Sequence, residues 1–213
     1  MRIGIVVNPD AGLGGRLGFK GSDGRAKEAR AAGAEDRAGP RMGLCLEHLD
    51  QLLGSSLNRT KASLTLVGLS GRMGETWYYS NSVGEYSECI GATPSETKPQ
   101  DTIALVHQLI DANVDAILYA GGDGTTRDIV TALEQQGEAA QRIPLIGVPG
   151  GVKMHSGCFA TTPKAAAEVT LAFAMGDLRT AITEVMDLDE EVYQEGIWKV
   201  RMYGEAWTPS SPR

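Results

Sequence analysis

Gly121-Gly122-Asp123-Gly124-Thr125 is the stretch whose residue types and spacing could do chemistry. An apolar run, Ala116 to Ala120, precedes it and reads as a buried strand, and Thr126 to Leu133 reads as the start of a helix. A strand, a glycine turn and a helix N-terminus together make an anion site. N–H groups without side-chain bulk can close on phosphate oxygens, and the helix dipole favours negative charge there. Asp123 is the odd member of such a turn. A carboxylate beside phosphates makes sense if it holds Mg²⁺ or takes a proton from an attacking hydroxyl. The plainer alternative is that Asp123 only caps the helix.

Two further strand exits carry the same kind of chemistry. The β-branched run Arg2 to Val7 ends at Asn8-Pro9, where proline stops the ladder, and opens a glycine-rich stretch from Asp10 to Gly24. The glycines miss the G-x-G-x-x-G spacing of a dinucleotide fingerprint, and Lys20 followed by Gly21 is out of register for a Walker A loop. The stretch reads as a long loop, either over a site, with Asn8, Lys20 and Asp23 as candidate contacts, or on the surface. A third buried strand, Pro144 to Val148, runs into Pro149-Gly150-Gly151-Val152-Lys153-Met154-His155-Ser156-Gly157.

The elements that must position these loops follow from periodicity. Helices are expected over Arg25 to Ala34 and over Arg41 to Leu53, the latter with Met42, Cys45, Leu46, Leu49 and Leu53 on one face and His48 off it in solvent. Ser63 to Gly68 and Glu85 to Ile90 read as strands, and Trp77-Tyr78-Tyr79 between them suits either a core or a pocket wall. Asp101 or Thr97 caps a helix with Ile103, Val106, Leu109 and Ile110 as its buried stripe and His107 as a satisfied structural histidine. Thr162-Pro163 opens a last helix by a cap and an N1 proline, with Ala166, Val169 and Phe173 facing inward, and Gly176 stops it. Alternating strands and helices imply an α/β fold, a Rossmann-like parallel sheet with helices on both faces. Ligands bind such sheets outside the carboxyl ends of the strands. The three exits therefore meet on one edge, around a phosphate-rich ligand held by backbone amides, by Lys153 and by Mg²⁺ at Asp123.

Past residue 180 the texture changes. Ile182 to Leu188 and Ile197 to Tyr203 alternate like strands, as if a β-rich second unit were beginning. The expected division is 1–180 for the phosphate-binding domain and 181–213 for the incomplete start of a second. A lone strand pair is marginal in water, so the tail is expected to be poorly ordered or used in contacts between copies.

Composition narrows the function classes. The chain has 213 residues, 42% hydrophobic and 22% charged, ordinary for a globular protein with a sizeable core. A net charge of −7 argues against a sequence-independent grip on nucleic acid or an anionic membrane. No apolar run reaches membrane-spanning length, and the N-terminus enters a strand without a leader pattern. Three scattered cysteines, Cys45, Cys89 and Cys158, suggest reduced thiols in a cytoplasmic protein.

Asn8-Pro9 after the first strand, GGDGT at 121–125 and Gly-Val-Lys-Met-His at 151–155 resemble the ATP-NAD kinase superfamily, in particular its predicted polyphosphate/ATP-NAD kinase branch with the acetoin-catabolism X-type proteins. The likeness covers most of residues 1–190. It implies transfer of the terminal phosphoryl group of ATP or polyphosphate to the ribose 2′-hydroxyl of NAD, giving NADP. It further implies that Asp123 activates the hydroxyl or organises Mg²⁺, with Gly121, Gly122, Gly124 and Thr125 around the phosphates; Lys153 as a phosphate contact is inferred from its loop alone. Members of that superfamily continue into a β-rich domain that supplies much of the NAD pocket, and the Asn-Glu motif expected there is missing here, as if the chain were truncated. A homo-oligomer is the expected assembly. Two other readings stand beside it: a lipid or small-alcohol kinase built on the same loop, and a nucleotide-binding module without turnover. NAD-dependent oxidoreduction is disfavoured by the failed fingerprint.

Overall fold

The structure is a computed structural model and describes residues 1–13, 26–54, 63–78, 86–150, 154–188 and 199–211. Five strands, β1 (Arg2–Val7), β2 (Thr65–Ser70), β3 (Ser87–Ala92), β4 (Ala116–Gly121) and β5 (Leu145–Pro149), form one parallel sheet in the order β3-β2-β1-β4-β5. β1 and β4 are buried almost throughout, as parallel strands covered on both faces must be. The chain leaves β1 towards β2 on one side and returns to β4 on the other. The crevice of such a sheet therefore lies between the carboxyl ends of β1 and β4.

Helices α1 (Ala26–Ala31), α2 (Ala38–Gly54), α3 (Pro99–Asp111), α4 (Asp123–Gln135), α5 (Glu138–Gln141) and α6 (Pro163–Ala174) accompany the sheet. On one face Met42, Cys45, Leu46 and Leu49 of α2 and Ala166, Ala167 and Leu171 of α6 pack over Ile3, Ile5 and Leu118. On the other, Leu105, Val106 and Leu109 of α3 and Ile129 and Leu133 of α4 pack over Val6, Val67 and Ile117. The expected α/β architecture with helices on both faces is the one observed.

The helix stripes differ in detail. In α3 it is Thr102, Leu105, Val106 and Leu109 that are buried, whereas Ile103 and Ile110 lie at the margin. In α6 the small Ala167 and Thr170 take the interior and Val169 and Phe173 its edge. Thr162 caps α6 as expected, its hydroxyl accepting from Ala165 N–H at 3.0 Å ahead of Pro163. At α3, Asp101 reaches back to accept from Lys98 N–H at 2.7 Å, and Thr97 instead donates to Asp10 at 3.0 Å. His48 is not in solvent: it is half-buried between α2 and α6, 3.5 Å from Glu168. His107 is not satisfied either, because its Nε2 is buried without a hydrogen-bond partner among the described residues. Trp77 and Tyr78 belong to the core, Tyr78 fully buried and Trp77 donating to Arg72 O at 2.6 Å. Tyr79 lies outside the described residues.

The C-terminal tail departs furthest from expectation. β6 (Arg179–Leu188) and β7 (Val200–Ser210) pair antiparallel as a separate two-stranded sheet, with β7 ordered as strand through Trp207 to Ser210. The pair is not alone. Val185 and Ala206 are buried in the α3–α4 core, and Thr208 Oγ1 donates to Leu145 O at 2.8 Å. Burial against an existing core supplies what an isolated hairpin lacks.

Burial pushes the Cys45 and Cys158 thiols up to about 12 from an ordinary 9.0, with the nearby Asp123 charge adding to the effect at Cys158. Cys89 is exposed. Because the folded-state values lie above the unfolded one, this stability is fully present below about pH 9 and is lost as pH rises towards 12. In the native protein at neutral pH a thiol reagent should modify Cys89 alone and reach Cys45 and Cys158 on denaturation. Modification of more than one thiol per folded chain, read by mass spectrometry, would contradict these burials.

Candidate functional site

The three strand exits do converge. Asn8 N–H, just past β1, donates to Ala120 O at 3.0 Å, and Gly150 N–H, just past β5, donates to Gly121 O at 2.9 Å. Asn8 Nδ2 also donates to Thr125 Oγ1 at 2.9 Å, while Asn8 Oδ1 accepts from Asp10 N–H. Arg41 of α2 braces the third exit by donating to Pro149 O at 2.8 Å. Glycine is required where these backbones touch. A Cβ on Gly150 would stand 3.0 Å from Gly121 N and 3.1 Å from Ala38 Cα, and one on Gly12, whose φ is +80°, would meet Gly150 O at 2.5 Å. Of the expected contacts, Lys20, Asp23 and Lys153 lie outside the described residues.

The helix after β4 starts at Asp123, three residues before the apolar pattern announces it. Its first i to i−4 bond, Thr126 N–H to Gly122 O at 3.1 Å, leaves the N–H groups of Asp123, Gly124 and Thr125 ahead of the ladder. Those are the donors a phosphate would use. Tyr119 OH, fully buried, shares a 2.6 Å hydrogen bond with Thr126 Oγ1 and fixes the first turn from below.

Asp123 does not cap its own helix. Its carboxylate, 6% exposed, is held by the loop after β5. Oδ1 accepts from Ser156 N–H at 2.9 Å and Ser156 Oγ at 2.7 Å, and Oδ2 accepts from His155 N–H at 2.7 Å and His155 Nδ1 at 3.0 Å. A carboxylate offers about four lone-pair sites, and the polar groups of the loop after β5 crowd both oxygens here. This arrangement does not fit direct coordination of Mg²⁺ by Asp123, and among the described residues no group of three His, Cys, Asp or Glu side chains could hold a metal ion.

Ser156 ties the site to the C-terminal sheet. Its Oγ accepts from Met186 N–H at 3.0 Å and lies 2.9 Å from Met186 O, so its single proton serves Asp123 or that carbonyl. Ser, His and Asp are the residue types of a hydrolase triad, but Ser156 bonds the carboxylate and the β6 backbone rather than the imidazole. Nothing here activates it as a nucleophile. Next along β6, Asp187 pairs with Arg127 of α4 at 3.1 Å, and Arg127 also stands over the Tyr203 ring of β7.

Sequence reasoning pointed to His155 only as a loop residue and missed Ser156, Met186 and the Arg127–Asp187 pair. The legible signal was that β4 and β5 are neighbouring parallel strands whose exits both carry polar residues, and such neighbours bring their exit loops together. Beside the site an open cleft of about 420 Å³ runs from Asn8 over the carboxyl ends of β1, β2 and β3. Its Arg30 and Arg72 are already paired with Asp10 and Asp36 at 2.7 Å and 3.1 Å and at 2.7 Å, respectively.

A five-stranded parallel sheet with helices on both faces and a glycine turn at its switch point defines the chain as an α/β protein with a Rossmann-like core. The family model of the ATP-NAD kinase N-terminal domain matches residues 3–178, and the chain belongs to that family. A comparison with curated proteins gives no match. No helix among the described residues is long and apolar enough to cross a membrane.

Proposed function

We propose that the protein is an NAD kinase-like phosphotransferase that moves a phosphoryl group from ATP or polyphosphate to the 2′-hydroxyl of NAD, giving NADP. The observation that carries this reading is the convergence of Asn8, Gly121–Thr125 and Gly150 around the open N–H groups of α4, in a chain of this family. Gly121, Gly122, Gly124 and Thr125 form the phosphate cradle, Asn8 fixes Thr125, and Asp123 is the residue on which transfer depends. Lys153 sits in the same loop sequence as His155 and is assigned to the phosphates. Mg²⁺ enters with the donor's phosphates as part of the substrate. The cleft that begins at Asn8, within the usual 300–1,000 Å³ range of small-molecule sites, gives room for the rest of a nucleotide. In this reading residues 1–180 are the phosphate-binding domain, residues 181–213 belong to a second unit that borders the acceptor, the setting is cytoplasmic and the assembly is homo-oligomeric.

The direct test is NADP formation from NAD, Mg²⁺ and either ATP or polyphosphate, with ATP binding by calorimetry on the same sample. Formation of NADP with one donor is the expected result. Binding without NADP would favour a nucleotide-binding module, and neither would remove the kinase reading.

A further inference from the structure

We propose that Arg30, Arg72, Lys98 and Thr102 build a second phosphate subsite in the cleft beside Asn8, for a phosphate group beyond those on the α4 amides. The assignment rests on the kinase reading above. Asn8 joins the two places, because its side chain bonds Thr125 of the turn and it also lines the cleft. A ligand seated on the turn therefore runs past Asn8 directly into the cleft.

The walls of the cleft are cationic in a chain whose net charge is −7. Lys27, Arg30, Arg72 and Lys98 line it against the carboxylates of Asp10 and Glu96. Among the described residues no aromatic side chain does so, although rings are common in small-molecule pockets. Such walls suit phosphate oxygens better than a base.

The two arginines are anchored without being used up. Arg30 bonds Pro9 O, Asp10 and Asp36 through Nη2, and Arg72 bonds Asp36 through Nη2. A guanidinium carries five N–H donors. Among the described residues Nη1 and Nε of both arginines have no acceptor, and the two side chains are 32% and 42% exposed. Each fork is thus fixed at one nitrogen and open at the others, which suits bidentate contact with phosphate. Lys27 is paired with Glu96, whereas Lys98 makes no ion pair among the described residues.

Thr102 marks the cleft as a built site rather than a diffuse positive field. It lines the cleft from α3, is only 3% exposed, and its hydroxyl has no hydrogen-bond partner among the described residues. A buried polar group of this kind is costly unless a ligand or water completes it. Its place beside three cations makes a phosphate oxygen the fitting partner.

The test is calorimetric titration of the full chain with sodium tripolyphosphate, ATP and NAD, each with Mg²⁺, for wild type, Arg72→Gln, Lys98→Gln and Thr102→Val. Arg72→Gln leaves Asp36 its bond to Arg30, and thermal melts of the same samples check the fold. Each charge variant should bind about 5-fold or more weakly, the effect of one unit charge about 4 Å away in water. Thr102→Val should bind about 3-fold or more weakly, the effect of one lost hydrogen bond. Weakening towards tripolyphosphate marks the group as a donor phosphate, and weakening towards NAD marks it as the acceptor's diphosphate; either supports the subsite. Wild-type affinity for all three ligands in any one of the variants overturns it, as does a wild type that binds none of them. Titration reads binding without turnover. Weakened variants of a chain that forms no NADP would keep the subsite and remove the kinase reading, and unchanged affinities in a chain that forms NADP would do the reverse.

Discussion

Asp123→Asn should lower NADP formation by about 10²–10⁴-fold, the range of a lost acid–base constellation, while the protein still unfolds cooperatively. The substitution is nearly isosteric, yet it replaces one acceptor oxygen with an amino group. Four polar groups converge on the carboxylate, two on each oxygen, and two of them are main-chain N–H donors. Whichever way the amide turns, its NH₂ faces a main-chain donor, either the N–H of Ser156 or that of His155. A buried donor left without its acceptor costs about 1–3 kcal/mol. At about 2–4 °C per kcal/mol for a chain of this size, Tm should fall by several degrees rather than collapse. The larger loss falls on activity, because the loop that carries His155 and Ser156 is no longer fixed to the start of α4. Turnover measured beside a thermal melt separates the two effects, and retained turnover would remove Asp123 from the mechanism.

Gly121→Ala should weaken phosphate binding by about 10-fold or more at a modest cost in stability. A Cβ at Gly121 would overlap Thr125 Oγ1 and come within 2.5 Å of Thr125 Cβ and 2.8 Å of its Cγ2. Thr125 is buried and bonded to Asn8, so it has no easy way out. Overpacking of this kind costs about 1–3 kcal/mol. Relief requires α4 to move away from β4, which displaces the N–H groups of Gly124 and Thr125 from any phosphate. Calorimetric titration with ATP should show affinity reduced by about 10-fold or more, the equivalent of 1.4 kcal/mol. Wild-type affinity in Gly121→Ala would mean that the phosphates do not sit on this turn.

Much of the fold was legible because its elements are local. β1, β4 and β5 are short apolar runs ended by Pro or Gly, and α2 carries a full helical stripe, so their order follows from periodicity, although α2 begins at Ala38 ahead of the expected Arg41. The convergence of the three exits was also legible, since a parallel sheet places every strand's carboxyl end on one edge. What stayed hidden depends on long-range placement. Nothing in the sequence near Asp123 shows that its partners are 32 and 33 residues away. The early start of α4 was masked because Gly122 to Gly124 carry little helical propensity and the turn is held from outside. Strand pairing was readable in β6 and β7, but the burial of Val185 and Ala206 that anchors them was not. It depends on β6 and β7 packing against α4 and β5, which come together only in the assembled sheet.

The hydrogen bonds from Ser156 to Met186 give the site a place in time as well as in space. A ribosome delivers the chain from β1 onward, and the amide cradle of α4 is present once β4 and its helix have emerged. The carboxylate of Asp123 gains its partners only after residues 155 and 156 have followed, and Ser156 is fixed only when Met186 has joined them. The amide turn can therefore form during synthesis before the carboxylate beside it is braced. A nascent chain paused before β6 would carry the amide turn of α4 without the contact to Met186 that fixes Ser156 beside Asp123.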